Sequence, residues 1–80
     1  MQMFTVISEY YDKRGHIRSK KKICCGEDML LKECKRLNDL EDSELASTPR
    51  VLRNTSMDRF DREYDFYDIL NKNYTNYWFV

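Results

Sequence analysis

Glycine and proline are nearly absent from this 80-residue chain, which carries Gly15, Gly26 and a single proline, Pro49. With 41% apolar residues beside so few breakers, a disordered or low-complexity chain is excluded. The same scarcity removes the glycine loops that bring backbone close to phosphate, so phosphate-loop and dinucleotide fingerprints are absent. There is also no G-x-S-x-G, no H-E-x-x-H and no paired C-x-x-C, and His16 is the only histidine. Long apolar runs are lacking too. Met3 to Ile7 falls short of the roughly 7 to 15 residues of a signal-peptide core and the ~20 of a membrane span, so a cytoplasmic chain without membrane contact is expected.

Cysteines number three, Cys24, Cys25 and Cys34, and an odd count without a leader points to a reducing compartment and no disulfide. Together with His16 they have the chemistry of a Cys3His zinc site. Adjacent cysteines on a strand point to opposite faces, however, and the spacing matches no zinc signature, so small buried apolar groups are expected instead of a metal or cofactor. A chain this short has little scaffold for a catalytic pocket, and binding is expected in place of catalysis.

What the chain does have is an uneven charge distribution within a net charge of zero. Residues 1–26 hold six Lys or Arg against two acids, and residues 27–80 hold eight against twelve. A zero total weakens any general affinity for nucleic acid, which scales with the phosphates a basic face neutralises. The length allows one core, burying about 60 to 65% of the surface of the unfolded chain, so residues 1–80 read as a single domain.

Met3 to Tyr11 is rich in β-branched and aromatic residues on both parities and reads as a strand. Asp12-Lys13-Arg14-Gly15 supplies turn chemistry, and His16 to Cys25 follows as the second arm of a hairpin. On that arm Arg18, Lys20 and Lys22 share one face while Ile17, Lys21 and Ile23 share the other. Gly26 as N-cap, Glu27 and Asp28 in the first turn and Lys35 and Arg36 later predict a helix over Glu27 to Leu40, its core stripe formed by Leu30, Cys34 and Leu37. Residues 41–49 read as a surface loop, and Val51 to Arg53 as a short edge strand.

From Ser56 onward, Met57, Phe60, Tyr64 and Tyr67 recur at spacings of 3, 4 and 3, and Asp58, Asp61, Asp65 and Asp68 repeat the pattern one residue later. This predicts a second helix with an aromatic stripe beside an acidic one. A second hairpin beginning with Tyr64 to Leu70 is the alternative, since Asp and aromatics are mediocre helix formers. Tyr74 to Val80 reads as a final strand. The expected class is α+β, a small antiparallel sheet with helices on one face.

Two binding surfaces follow. Asp58, Asp61, Tyr64, Asp65, Tyr67 and Asp68 would offer acidic and aromatic contact to a protein partner with a basic surface, or simply form a solvated helix face. Arg14, Arg18, Lys20 and Lys22 would bind nucleic acid along a β-ribbon, or keep the sheet edge from aggregating.

In size, in its choice of Asn, Lys, Tyr and Ile, and in its hairpin-then-helix order, the chain resembles the small proteins that phages and mobile elements encode against host defences, anti-CRISPR proteins among them. That resemblance implies a stoichiometric inhibitor or adaptor in the host cytoplasm, blocking a nucleic-acid-binding or CRISPR-Cas-like complex. It carries over no functional residue. The alternative expectation is a small nucleic-acid-binding regulator using the basic hairpin.

Overall fold

A computed structural model describes residues 2–40 and 44–71. Its elements are β1 (Met3–Tyr11), β2 (Ile17–Cys25), α1 (Glu27–Asn38), β3 (Arg50–Ser56), β4 (Arg59–Tyr64) and α2 (Phe66–Asn71). The four strands form one antiparallel sheet in the order β2-β1-β3-β4, giving the α+β class. No helix among the described residues is long and apolar enough to cross a membrane. The expected final strand, Tyr74 to Val80, lies outside the described residues.

The first hairpin and α1 follow the sequence pattern closely. β1 and β2 pair without interruption from Met3↔Cys25 to Tyr11↔Ile17. Gly26, at φ 87°, turns the chain out of β2, and α1 then carries acids in its first turn and Lys35 and Arg36 in its last. Its buried face is Leu30, Glu33, Cys34 and Leu37. The core joins Leu30, Cys34 and Leu37 to Phe4, Val6 and Cys24 of the hairpin, Val51 and Tyr64 of β3 and β4, and Phe66 and Ile69 of α2. Each such side chain removed from water contributes roughly 1.5 to 3 kcal/mol.

The second half departs from expectation at three points. β3 is seven residues long and lies inside the sheet between β1 and β4, so it is no short edge strand. Residues 57–64 are not helical: Met57 and Asp58 make a two-residue turn between Ser56 and Arg59, and a second hairpin forms earlier in the chain than the Tyr64 alternative placed it. The Asn54 side-chain amide braces that turn by donating to the Ser56 and Met57 carbonyls at 3.0 and 3.4 Å. The second helix exists, but it starts at Phe66 and spans six residues.

Candidate binding surface

Asp12 organises the tip of the first hairpin. Its Oδ1 accepts the backbone N–H of Arg14 and of His16, both at 2.9 Å, and Gly15 closes the turn at φ 81° by donating to the Asp12 carbonyl at 3.0 Å. The backbone bond from His16 is the largest of the effects holding the Asp12 carboxyl below its ordinary range, and Arg18, whose Nε lies 3.1 Å from Oδ2, adds to it. Arg14 and His16 are exposed at this tip.

The basic stripe of β2 lies on the side of the hairpin that meets α1. Cys24, of the same parity as Arg18, Lys20 and Lys22, is fully buried in the core. Lys22 reaches Glu33 of α1, with Nζ 3.7 Å from Oε2. Arg36, one turn further along α1, makes a two-pronged contact with the same carboxylate. Glu33 is thus a buried charge, its side chain only 2% exposed, held between two half-exposed cations. Lys20 lies over the Tyr10 ring, with its ammonium 5.7 Å from the centroid, a cation–π contact across the hairpin.

Two adjoining depressions of about 280 and 300 Å³ run along this junction, and they share Ser8, Lys20, Arg36 and Leu37. Tyr10 lines the first, and Lys22 and Glu33 line the second. The groove therefore brings Arg36 to the cations that the hairpin presents. Sequence reasoning missed both Glu33 and Arg36. The available signal was their i, i+3 spacing, with Glu33 placed between the apolar Leu30 and Leu37.

β2 is also an outer strand of the sheet, exposed at every position except Cys24. Which of its backbone groups face outward follows from the two ends of the ladder. Asp12 N–H donates to the His16 carbonyl at 2.9 Å, and Gly26 N–H donates to the Gln2 carbonyl at 2.8 Å. Antiparallel bonding alternates, so Arg18, Lys20, Lys22 and Cys24 bond to β1, while Ile17, Ser19, Lys21, Ile23 and Cys25 direct their N–H and C=O groups away from it. No strand among the described residues pairs with that edge.

The acidic residues do not gather into a stripe. Asp58 lies in the β3–β4 turn, and Asp61 on β4 accepts two bonds from the Arg53 guanidinium at 2.9 and 2.7 Å. That pairing holds the Asp61 carboxyl below its ordinary range and pushes Arg53 up. Asp65 caps α2, accepting the Tyr67 and Asp68 N–H groups at 2.9 and 3.0 Å. Tyr64 is buried, edge-on to Phe4 at 6.0 Å between ring centroids, whereas Tyr67 and Asp68 are exposed on α2. The shared face expected of a helix is lost because residues 59–64 form a strand.

Among the described residues no group of three His, Cys, Asp or Glu side chains is arranged to hold a metal ion. Cys24 and Cys34 are buried and Cys25 is exposed. Burial raises the Cys24 thiol and pushes Cys34 up to about 12. Comparison with protein-family models, curated proteins and solved structures gives no match.

Proposed function

We propose that this chain is a small binding domain that works by occupancy, a stoichiometric protein-binding inhibitor or adaptor of the kind mobile elements direct against host defence complexes. Its contact surface in this reading is the first hairpin. The observation that carries it is the regular outer edge of β2, exposed along almost its whole length and flanked by Arg18, Lys20 and Lys22. A row of outward N–H and C=O groups is a template that protein backbone takes up and nucleic acid does not. The core cluster draws on both helices and on Phe4 and Val6, which supports an arrangement with the helices on one face of the sheet. Asp61 and Asp65 have partners within the chain, and the charges flanking the β2 edge are the cations Arg18, Lys20 and Lys22, so the partner sought here is acidic, not basic. A reducing host cytoplasm suits the three unpaired thiols.

Affinity capture from host lysate, with and without nuclease, tests this reading. The expected result is a protein partner retained after nuclease and lost on the double change Arg18→Glu, Lys20→Glu. Capture that survives the double change, or that nuclease abolishes, overturns it.

A nucleic-acid-binding regulator is the second reading, and a specific observation favours it. Lys20, Lys22 and Arg36 converge from two elements on one groove that also contains the Tyr10 ring, a combination suited to phosphate and a stacked base. Arg18, Lys22 and Arg36 already pair with Asp12 and Glu33, which weakens any anion contact here, carboxylate or phosphate alike, and the net charge of zero weighs further against nucleic acid. This reading predicts oligonucleotide affinity that falls steeply from low to moderate salt; a flat response removes it.

A further inference from the structure

Resting on the protein-binding reading above, we propose that β2 accepts an extended acidic segment of its partner as an added strand. The carrying observation is the coincidence of two features on one element. Ile17, Ser19, Lys21, Ile23 and Cys25 turn their backbone groups outward, and between them Arg18, Lys20 and Lys22 form a row of cations on one face. Strand rise puts successive cations of that row about 7 Å apart.

A strand laid against this edge takes its affinity from main-chain hydrogen bonds and its specificity from alternate side chains. Carboxylates at every second position of the incoming segment fall opposite the Arg18, Lys20 and Lys22 row. The intervening positions meet Ile17 and Ile23, which are 56% and 41% exposed and call for apolar groups opposite them, with Ser19 and Lys21 between the two. The segment that fits therefore carries acidic residues at alternate positions over five to seven residues, with apolar groups toward its two ends.

Charge also selects against the nearest competitor, a second copy of this chain. Pairing two β2 edges antiparallel sets the Arg18, Lys20 and Lys22 row of one against the same row of the other, and like charges directly opposite are destabilising. The lysines that discourage self-pairing are the groups that favour an acidic strand. Nothing interrupts the edge, because the β1–β2 register runs through nine pairs without a bulge.

Amide hydrogen exchange on the full chain, read residue by residue, tests the proposal. The probes are a synthetic peptide of alternating Glu and Val, a peptide of the same composition with Glu and Val in separate blocks, and an oligothymidine. The alternating peptide is expected to slow exchange at Ile17, Ser19, Lys21 and Ile23 by tenfold or more, leaving Arg18, Lys20 and Lys22 unchanged because their amides already bond to β1. Lys20→Glu and Ser19→Pro are each expected to weaken peptide binding at least tenfold. Proline there removes an outward N–H without touching the β1 ladder, and Lys20→Glu preserves the test if Ser19→Pro does not fold. Equal protection by the block peptide or by oligothymidine overturns strand addition, as does the absence of protection at these amides. Absent protection with hairpin-dependent protein capture intact overturns this inference alone. Loss of that capture overturns the protein-binding reading with it.

Discussion

Lys22 on the outer strand and Glu33 on α1 stand 3.7 Å apart, a contact that ties the edge of the sheet to the helix above it. Glu33 is buried, and its stability depends on the cations that border it. Arg36→Ala is expected to destabilise the fold by about 1 to 2 kcal/mol, below the usual cost of breaking a buried pair because Lys22 remains and Arg36 is half exposed. Adding Lys22→Ala leaves an uncompensated buried carboxylate, so the double variant is expected to lose more than the sum of the single ones. Urea titration of the three proteins checks both points. Replacing Glu33 by Leu, which removes the charge as well, is expected to cost far less.

Asp65 and Asp68 separate a capping role from a solvated one. Asp65→Ala removes the acceptor for two N–H groups at the start of α2 and is expected to cost about 1 kcal/mol. Asp68→Ala, at an exposed position, is expected to stay within about 0.5 kcal/mol of wild type. Thermal unfolding of the pair distinguishes them, and equal shifts would show that the cap contributes nothing.

Acid should destabilise this domain through a small set of carboxylates. Asp12, Asp61 and Glu63 are held below their ordinary ranges, chiefly by backbone N–H groups at Asp12, by Arg53 at Asp61 and by Arg50 at Glu63. A depressed folded-state pKa contributes stability that is complete above the unfolded value and is lost as pH falls through the folded one. Denaturant midpoints are therefore expected to be flat from neutrality to about pH 5 and to fall below about pH 4. The triple change Asp12→Asn, Asp61→Asn, Glu63→Gln should flatten that decline.

Thiol chemistry offers a direct reading of the core. Cys34 is pushed up to about 12 and Cys24 is raised by burial, whereas Cys25 is exposed. Iodoacetamide at pH 8 is expected to modify Cys25 alone in the folded protein and all three cysteines in denaturant. Rapid labelling of Cys24 or Cys34 under native conditions, read by mass spectrometry, would contradict the packing of α1 on β2.

The first hairpin and α1 were legible because each local signal agreed with the tertiary result. Gly15 and Gly26 stand where positive φ is needed, and Leu30, Cys34 and Leu37 keep helical spacing. The second hairpin was illegible for two physical reasons. Its turn, Met57-Asp58, lacks the glycine or asparagine that usually marks a two-residue hairpin turn and is braced from Asn54 instead. Register shifts between Arg53 and Asn54 and between Asn54 and Ser56 also mark it as irregular, and with no clean two-residue alternation the spacing of Phe60, Tyr64 and Tyr67 imitated a helix. At the candidate surface, Arg14, Arg18, Lys20 and Lys22 could be found by alternation. The groove they border could not, because it depends on α1 lying across β2.

The position of β1 between β2 and β3 has a consequence for biosynthesis. The hairpin and α1 are complete once residue 38 has left the ribosome, yet β1 still lacks its second neighbour and the core lacks Val51, Tyr64, Phe66 and Ile69. Until those residues emerge, the nascent chain carries two open edges, one screened by lysines and the other presenting the backbone groups of Met3, Thr5 and Ile7. For that interval it is the inner edge of β1, later sealed by β3, that invites misassembly.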